Sequence, residues 1–555
     1  MTDYYDLGTY HRPVSTTSAP AQTWFDRGLV WCYGFAHEEA VRCFQQAAEH
    51  DPACAMAWWG VAYAAGPNYN KQWKAFDPAD LERSLRLAGE ATRRALALID
   101  RASPVEQALI RPLAERYPST DPGAVTPEAT NLWNDRYAAA LRQAWRALGA
   151  DLDVSALFAE ALMNRTPWQL WDVRSGKPAE GASTLEALEV LEAAMARPGG
   201  MAHPGLLHLY IHLMEMSASP QRALRAADAL RDLVPDAGHL VHMATHIDVL
   251  CGRYSNVVDG NSRAIVADAK YLARHGADNF YSLYRCHNLH FKLYGAMFLG
   301  QLQPALAAAD DLIASLPASL LRIESPPLAD WLEGFVPMKM HVLIRFGRWA
   351  DIIATPLPED PALFCVTTAM IHYAKAVAHA ASGDVASADE EARRFDAAVA
   401  RVPPSRYLFN NTCLDILAIA AEMLKGEIAY RQGRFDAAFA HLRRSVELDD
   451  SLPYDEPWGW MQPTRHALGA LLLEQGRVEE AETVYRADLG LDPTLPRACQ
   501  HPENVWSLHG FHECLMRLGK QAEASLVWQR LELAIAWADV PIRSSCFCRL
   551  AAAAA

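Results

Sequence analysis

One spacing recurs along this chain, and few backbones can satisfy it. In WFDRGLVWCYGFAHEEAVRCFQQAAEHDP, residues Gly28, Ala40, Phe44, Ala47 and Pro52 stand at offsets 0, 12, 16, 19 and 24. Far downstream, LGALLLEQGRVEEAETVYRADLGLDP repeats the grid, with Gly469, Ala481, Tyr485 and Pro493 at 0, 12, 16 and 24. Such a grid fits a helical hairpin: small residues where two helices cross closely, a large apolar residue between them, and a proline that stops the second helix. Further matches centre on LCGRYSNVV, FLGQLQPAL, RFGRWADI, ASGDVASAD, RQGRFDAAF and RLGKQAEAS. A single hairpin cannot bury its own apolar face, so the units must stack on one another.

Composition agrees. Of the 555 residues, 51% are apolar, rich in Ala and Leu, and alternating β-branched runs are rare. The expectation is an all-α chain with no strand of consequence. A net charge of −15 argues against nucleic acid, which needs a concentrated basic face. The N-terminal MTDYYDLGTYHRPVSTTSAPAQ has neither a basic n-region nor an apolar h-region, and no long uninterrupted apolar run follows. The expected setting is soluble and cytoplasmic, with no membrane partner. Eleven scattered cysteines, an odd number, suit reduced thiols better than a disulfide framework.

The grid resembles that of the tetratricopeptide repeat (TPR) superfamily. The resemblance implies a right-handed α-solenoid of stacked hairpins whose first helices line a concave groove. The expected layout is an N-terminal extension over 1–20, one TPR-like array over 21–545, and a tail over 546–555. Pro-, Gly- or Trp-rich stretches near 66–82, 117–132, 165–186, 353–361 and 451–463 read as inter-repeat insertions.

Repeat numbering then exposes a second pattern. With the inter-helix glycine as position 15 of 34, Gly252 places His242 at position 5 and His246 at position 9. One repeat earlier, in HPGLLHLYIHLMEMS, His208 and His212 take the same two positions and Glu215 takes position 12. One repeat later His287, His290 and Tyr294 fall at positions 2, 5 and 9. By resemblance to TPR proteins, positions 2, 5, 9 and 12 face the groove. Residues four apart share a helix face, and packed helices lie about 8 to 10 Å apart, so imidazoles from adjacent helices can meet.

His208, His212, His242, His246 and His290 are therefore candidate ligands of one transition metal, with Glu215, His287 and Tyr294 as supporting or acid/base groups. Imidazole suits Cu, Zn and Fe; a set poor in carboxylates leans towards Cu or Zn, and a Glu215 ligand would lean towards Fe or Zn. The plainer alternative is that one helical HxxxH arises by chance as a satisfied pair. His466 and His509 also reach position 5 in their own repeats and are read as metal-free.

The segments GFAHEEAVRCFQQAAEHDPACAMAWWGVAYAAGPNYN, HLYIHLMEMSASPQRALRAADAL, AGHLVHMATHIDVLCGRY, CHNLHF and YDEPWGWMQPTRHALGALLLEQGRVEEAETVYRADL resemble a widespread group of long bacterial TPR-domain proteins. Those tend to read HMPSHI where this chain has HMATHI, which keeps both histidines. The resemblance implies the fold but brings no reaction with it.

Substrate-contact candidates come from the irregular stretches. His37 replaces the aromatic usual at the helix turn, either as packing or as an extra polar group. GPNYN offers Asn68 and Tyr69 as a pocket lip, and Glu160 with Asn164 forms a polar wall flanked by Trp168 and Trp171. YDEPWGWMQPTRH crowds Tyr454, Glu456, Trp460 and Arg465 into an insertion that reads as a cap or as a lid over a substrate.

Two functions remain open. One is a metalloenzyme acting on a small molecule, oxidative chemistry ahead of hydrolysis. The other is a scaffold whose groove binds a peptide or partner protein. No phosphate-binding loop or nucleophile elbow supports nucleotide or serine-hydrolase chemistry.

Overall fold

The computed structural model describes residues 4–549. The ends of the expected extension (1–3) and tail (550–555) lie outside the described residues. The fold is all-α: antiparallel helical hairpins follow one another along the chain. Among the described residues the only strands are two-residue ribbons, Trp171–Asp172 with Lys177–Pro178 and Tyr407–Leu408 with Asn411–Thr412. Among the described residues no helix is long and apolar enough to cross a membrane. Cys546 and Cys548, with Cα atoms 5.2 Å apart, are joined as a disulfide, and the other nine cysteines are thiols. That one bond is local and builds no disulfide framework.

The sequence grid has a direct packing cause. Phe44, fully buried, occupies the space left by two glycines: a Cβ on Gly28 would lie 2.8 Å from its ring, and one on Gly60 would lie 2.3 Å away. Tyr485 is held in the same way between Gly469 and Gly510, at 2.5 and 2.2 Å. Burying such an aromatic ring contributes about 2 to 3 kcal/mol, and an alanine at either glycine would expel it.

The turn glycines also behave as the register requires. Gly252 and Gly476 both have φ of +73°, and Gly300, Gly347, Gly383, Gly433 and Gly519 share the left-handed region that ends a helix most cheaply at glycine. The first hairpin departs from this. There position 15 is Phe35, at φ +54°.

The chain divides into two compact units, Met1–Ile247 with Arg263–Gly276, and Asp248–Ser262 with Ala277–Ala555. The first holds hairpins such as Ala19–Tyr33 with His37–His50, and the helices Leu152–Met163 and Pro204–Glu215. The second holds Tyr281–Phe298, Met338–Arg345, Thr464–Glu474 and the helices that follow.

Candidate metal centre

Two helices supply the histidines of the first unit. Pro204–Glu215 begins at His203, whose Nδ1 accepts from the Leu206 amide at 3.1 Å, and proline fills the first helical position. The second ring nitrogen of His203 meets Asp153 at 3.2 Å. Tyr10, Tyr33 and Arg12 also donate to Asp153. Burial alone would raise this carboxyl, but His203 and Arg12 hold it well below the ordinary carboxylate range. So fixed, the helix presents His208, His212 and Glu215 along one face. Gly238–Leu250 presents His239, His242 and His246 at a matching spacing.

These five imidazoles form a closed ring. Successive centroids lie at 4.8 Å for His208 to His212, 5.7 Å for His212 to His246, 4.7 Å for His246 to His242, 6.0 Å for His242 to His239, and 5.0 Å for His239 back to His208. None of the five is more than 2% exposed. His208, His212 and His239 bring ring nitrogens within 4.8 Å of one another.

Hydrogen bonds fix which nitrogen carries the proton. His208 Nδ1 lies 2.5 Å from the Tyr33 carbonyl, which can only accept. Glu215 receives His212 Nδ1 at 3.0 Å on one oxygen and His246 Nδ1 at 2.9 Å on the other. With Nδ1 protonated in all three, each Nε2 keeps its lone pair. The Nε2 atoms of His208 and His212 are buried without a hydrogen-bond partner. Burial, with the nearby imidazoles, pushes both histidines well below their ordinary pKa, so they are neutral near pH 7.

Three aromatic rings close over the imidazoles. Phe35 stands 4.4 Å from His208, 5.8 Å from His212 and 5.9 Å from His239. Tyr69 and Trp168 lie 5.0 and 5.6 Å from His212. Trp168, like Phe35, is a non-glycine residue at positive φ, +60°. Strain of this kind costs about 1 to 3 kcal/mol and gathers at functional sites. The insertion carrying Trp168 is tied down by Trp171, whose Nε1 donates to the Leu213 carbonyl at 2.6 Å. A separate cavity of about 410 Å³ is lined by Asn68, Trp73, Asn134, Asn164, Arg165 and Pro167 among others.

Four of the five expected histidines, His208, His212, His242 and His246, are thus brought together with Glu215, whose two oxygens bond His212 and His246. His239 and Phe35 were missed. The signal for His239 was its position 2 in AGHLVHMATHID; for Phe35 it was an aromatic residue where the register demands glycine. Asn68 accepts from the Asn70 and Lys71 amides at 2.9 and 2.7 Å and so shapes the cavity lip. Glu160 is hydrogen-bonded by Tyr63 and by Asn164, and the Asn164 Oδ1 is buried without a partner. His37 contacts the Gly66 carbonyl at 3.3 Å, a packing role at the turn; burial lowers its pKa to about 3.

The remaining candidates belong to the second unit. His290 Nε2 faces Met461 Sδ at 2.7 Å, and burial takes its pKa to about 3. His287 lies between Phe291 and Phe409, with centroids 5.2 and 4.6 Å away. Tyr294 stacks near Phe298 at 4.4 Å, and burial keeps its phenol protonated. The aromatic insertion is packed inside the unit: Tyr454, Glu456 and Trp460 are at most 5% exposed, and burial holds Glu456 far above the usual carboxyl range. Arg465 does not pair with Glu456. Its guanidinium makes two bonds to Asp450, at 2.5 and 2.6 Å, which occupies the group expected to anchor a substrate. Both nitrogens of His466 are taken as well, by Arg345 at 2.9 Å and Asp488 at 3.0 Å.

No family model and no curated protein matches the chain. Among solved structures, the APC/C Cut9–Hcn1 hetero-tetramer is 12% identical, with 89% of this chain and 76% of that chain covered and a TM-score of 0.31. A monomeric IFIT1 mutant with Gppp-AAAA is 12% identical, with 93% and 91% covered and a TM-score of 0.31. Yeast Tom70 is 10% identical, with 92% and 99% covered and a TM-score of 0.27. The hairpin fold stated above rests on this chain's own geometry.

Proposed function

We propose that the first unit is a transition-metal centre, held by imidazoles of His208, His212, His239, His242 and His246, and that the protein is a metal-dependent enzyme acting on a small molecule. The closed ring of buried imidazoles carries this reading, because two of its orphaned Nε2 lone pairs have no purpose in a metal-free core. The all-imidazole donor set favours copper over zinc and iron. Oxidative chemistry is favoured over hydrolysis, since both oxygens of Glu215, the carboxylate bonded to His212 and His246, are engaged in orienting ligands.

The chain's own groups have distinct tasks in this reading. Glu215 and the Tyr33 carbonyl keep protons on Nδ1. Phe35, Tyr69 and Trp168 keep bulk water from the ring. The cavity lined by Asn68 and Asn164 takes a small polar molecule, for which Asn164 Oδ1 and Trp73 Nε1 are buried and unpaired.

A second reading, a scaffold for a protein partner, draws support from the Gln521–Ile535 helix and its flank, where Leu526, Trp528, Leu533 and Trp537 are 66, 45, 72 and 54% exposed. It leaves the histidine ring without a role. Elemental analysis of untagged protein separates the two. At least about one transition-metal ion per chain after reconstitution supports the metalloenzyme, and under about 0.2 leaves the scaffold.

A further inference from the structure

Resting on that reading, the geometry points to two copper ions in the imidazole ring instead of one. A single first-row ion takes three or four imidazoles; five close in space exceed its needs. The five sort into two groups. His208, His212 and His239 gather their nitrogens within 4.8 Å, a complete three-coordinate set. His242 and His246 approach each other Nε2 to Nε2 at 2.7 Å. Because Glu215 holds the proton of His246 on Nδ1, the close Nε2 pair can share only one proton, and a metal ion replaces it.

Glu215 joins the two groups, one oxygen on His212 and the other on His246. A single carboxylate thereby orients a ligand of each ion. Ring centroids 4.7 to 6.0 Å apart leave room for two ions at the roughly 3.5 to 4 Å typical of paired sites. The donor set selects the metal: five imidazoles without a coordinating carboxylate suit copper.

The test loads untagged, full-length protein with Cu²⁺ alone, desalts it, and compares copper content with the integrated electron paramagnetic resonance signal. Two coppers per chain with a signal far below the copper content are expected, because adjacent Cu(II) ions couple. The double substitution His242→Ala/His246→Ala should drop the content from two to one and restore a full signal. Circular dichroism and the retained copper show that this variant is folded. One copper per chain in the parent, or two with full signal, overturns the pair while leaving a mononuclear centre. No retained copper overturns both the pair and the metal centre itself.

Discussion

The Oε1 atom of Glu215 lies 3.0 Å from Nδ1 of His212, one helical turn away on the same face. The bond leaves the lone pair of His212 on Nε2, and the other oxygen of Glu215 does the same for His246. In Glu215→Gln the amide NH2 would face one of these Nδ1–H groups, and that imidazole must move its proton to Nε2, where it can no longer bind metal. Metal affinity should fall about 10- to 100-fold with helicity unchanged. Titration against a chromophoric chelator, beside circular dichroism, measures both.

Phe35 occupies a left-handed turn position and covers three histidines. Phe35→Gly relieves about 1 to 2 kcal/mol of backbone strain but gives up about 2 to 3 kcal/mol of buried ring. The melting temperature should change little. Release of metal into excess chelator, followed by stopped-flow absorbance, should quicken roughly tenfold because water gains access.

Sharing a repeat position does not make a histidine a ligand. His466→Ala should leave metal content intact and cost about 1 to 3 kcal/mol of stability, because buried Asp488 and Arg345 each lose a partner. His208→Ala should instead lower metal affinity sharply. Metal content and thermal melts of the two variants, taken together, check the contrast.

Acid sensitivity has an identifiable contributor in the second unit. Burial lowers the His341 pKa to about 3, from an unfolded value near 6.5. The unfolded chain therefore binds this proton below pH 6.5 while the folded chain does not, so stability from His341 is full above pH 6.5 and is lost as pH falls towards 3. By pH 5 the loss is about 2 kcal/mol. His341→Phe keeps a ring against Trp460, 4.8 Å away, and cannot take up the proton. The variant should gain stability relative to the parent as pH drops from 7 to 5. Parallel melts give the difference directly, and a constant difference would remove His341 as a source.

Much of this was legible in the sequence because a repeat writes its packing as spacing. Phe44 between Gly28 and Gly60, and the positive φ of Gly252, follow from offsets alone. The 34-residue offset likewise places His208, His212, His242 and His246 in one register. What spacing could not carry was tertiary choice. Trp168 reaches His212 only because an insertion folds over the helix, and Arg465 is spent on Asp450, fifteen residues back. His239 was in register, but it lay outside the i, i+4 pattern that drew attention to its neighbours.

X-ray absorption at the metal edge of reconstituted, untagged, full-length protein tests the central claim most directly. The account predicts a retained metal with nitrogen scatterers at about 2.0 to 2.1 Å and the outer-shell pattern of several imidazoles, lost in His208→Ala/His212→Ala. An oxygen-only spectrum, or one unchanged by that double substitution, would contradict it.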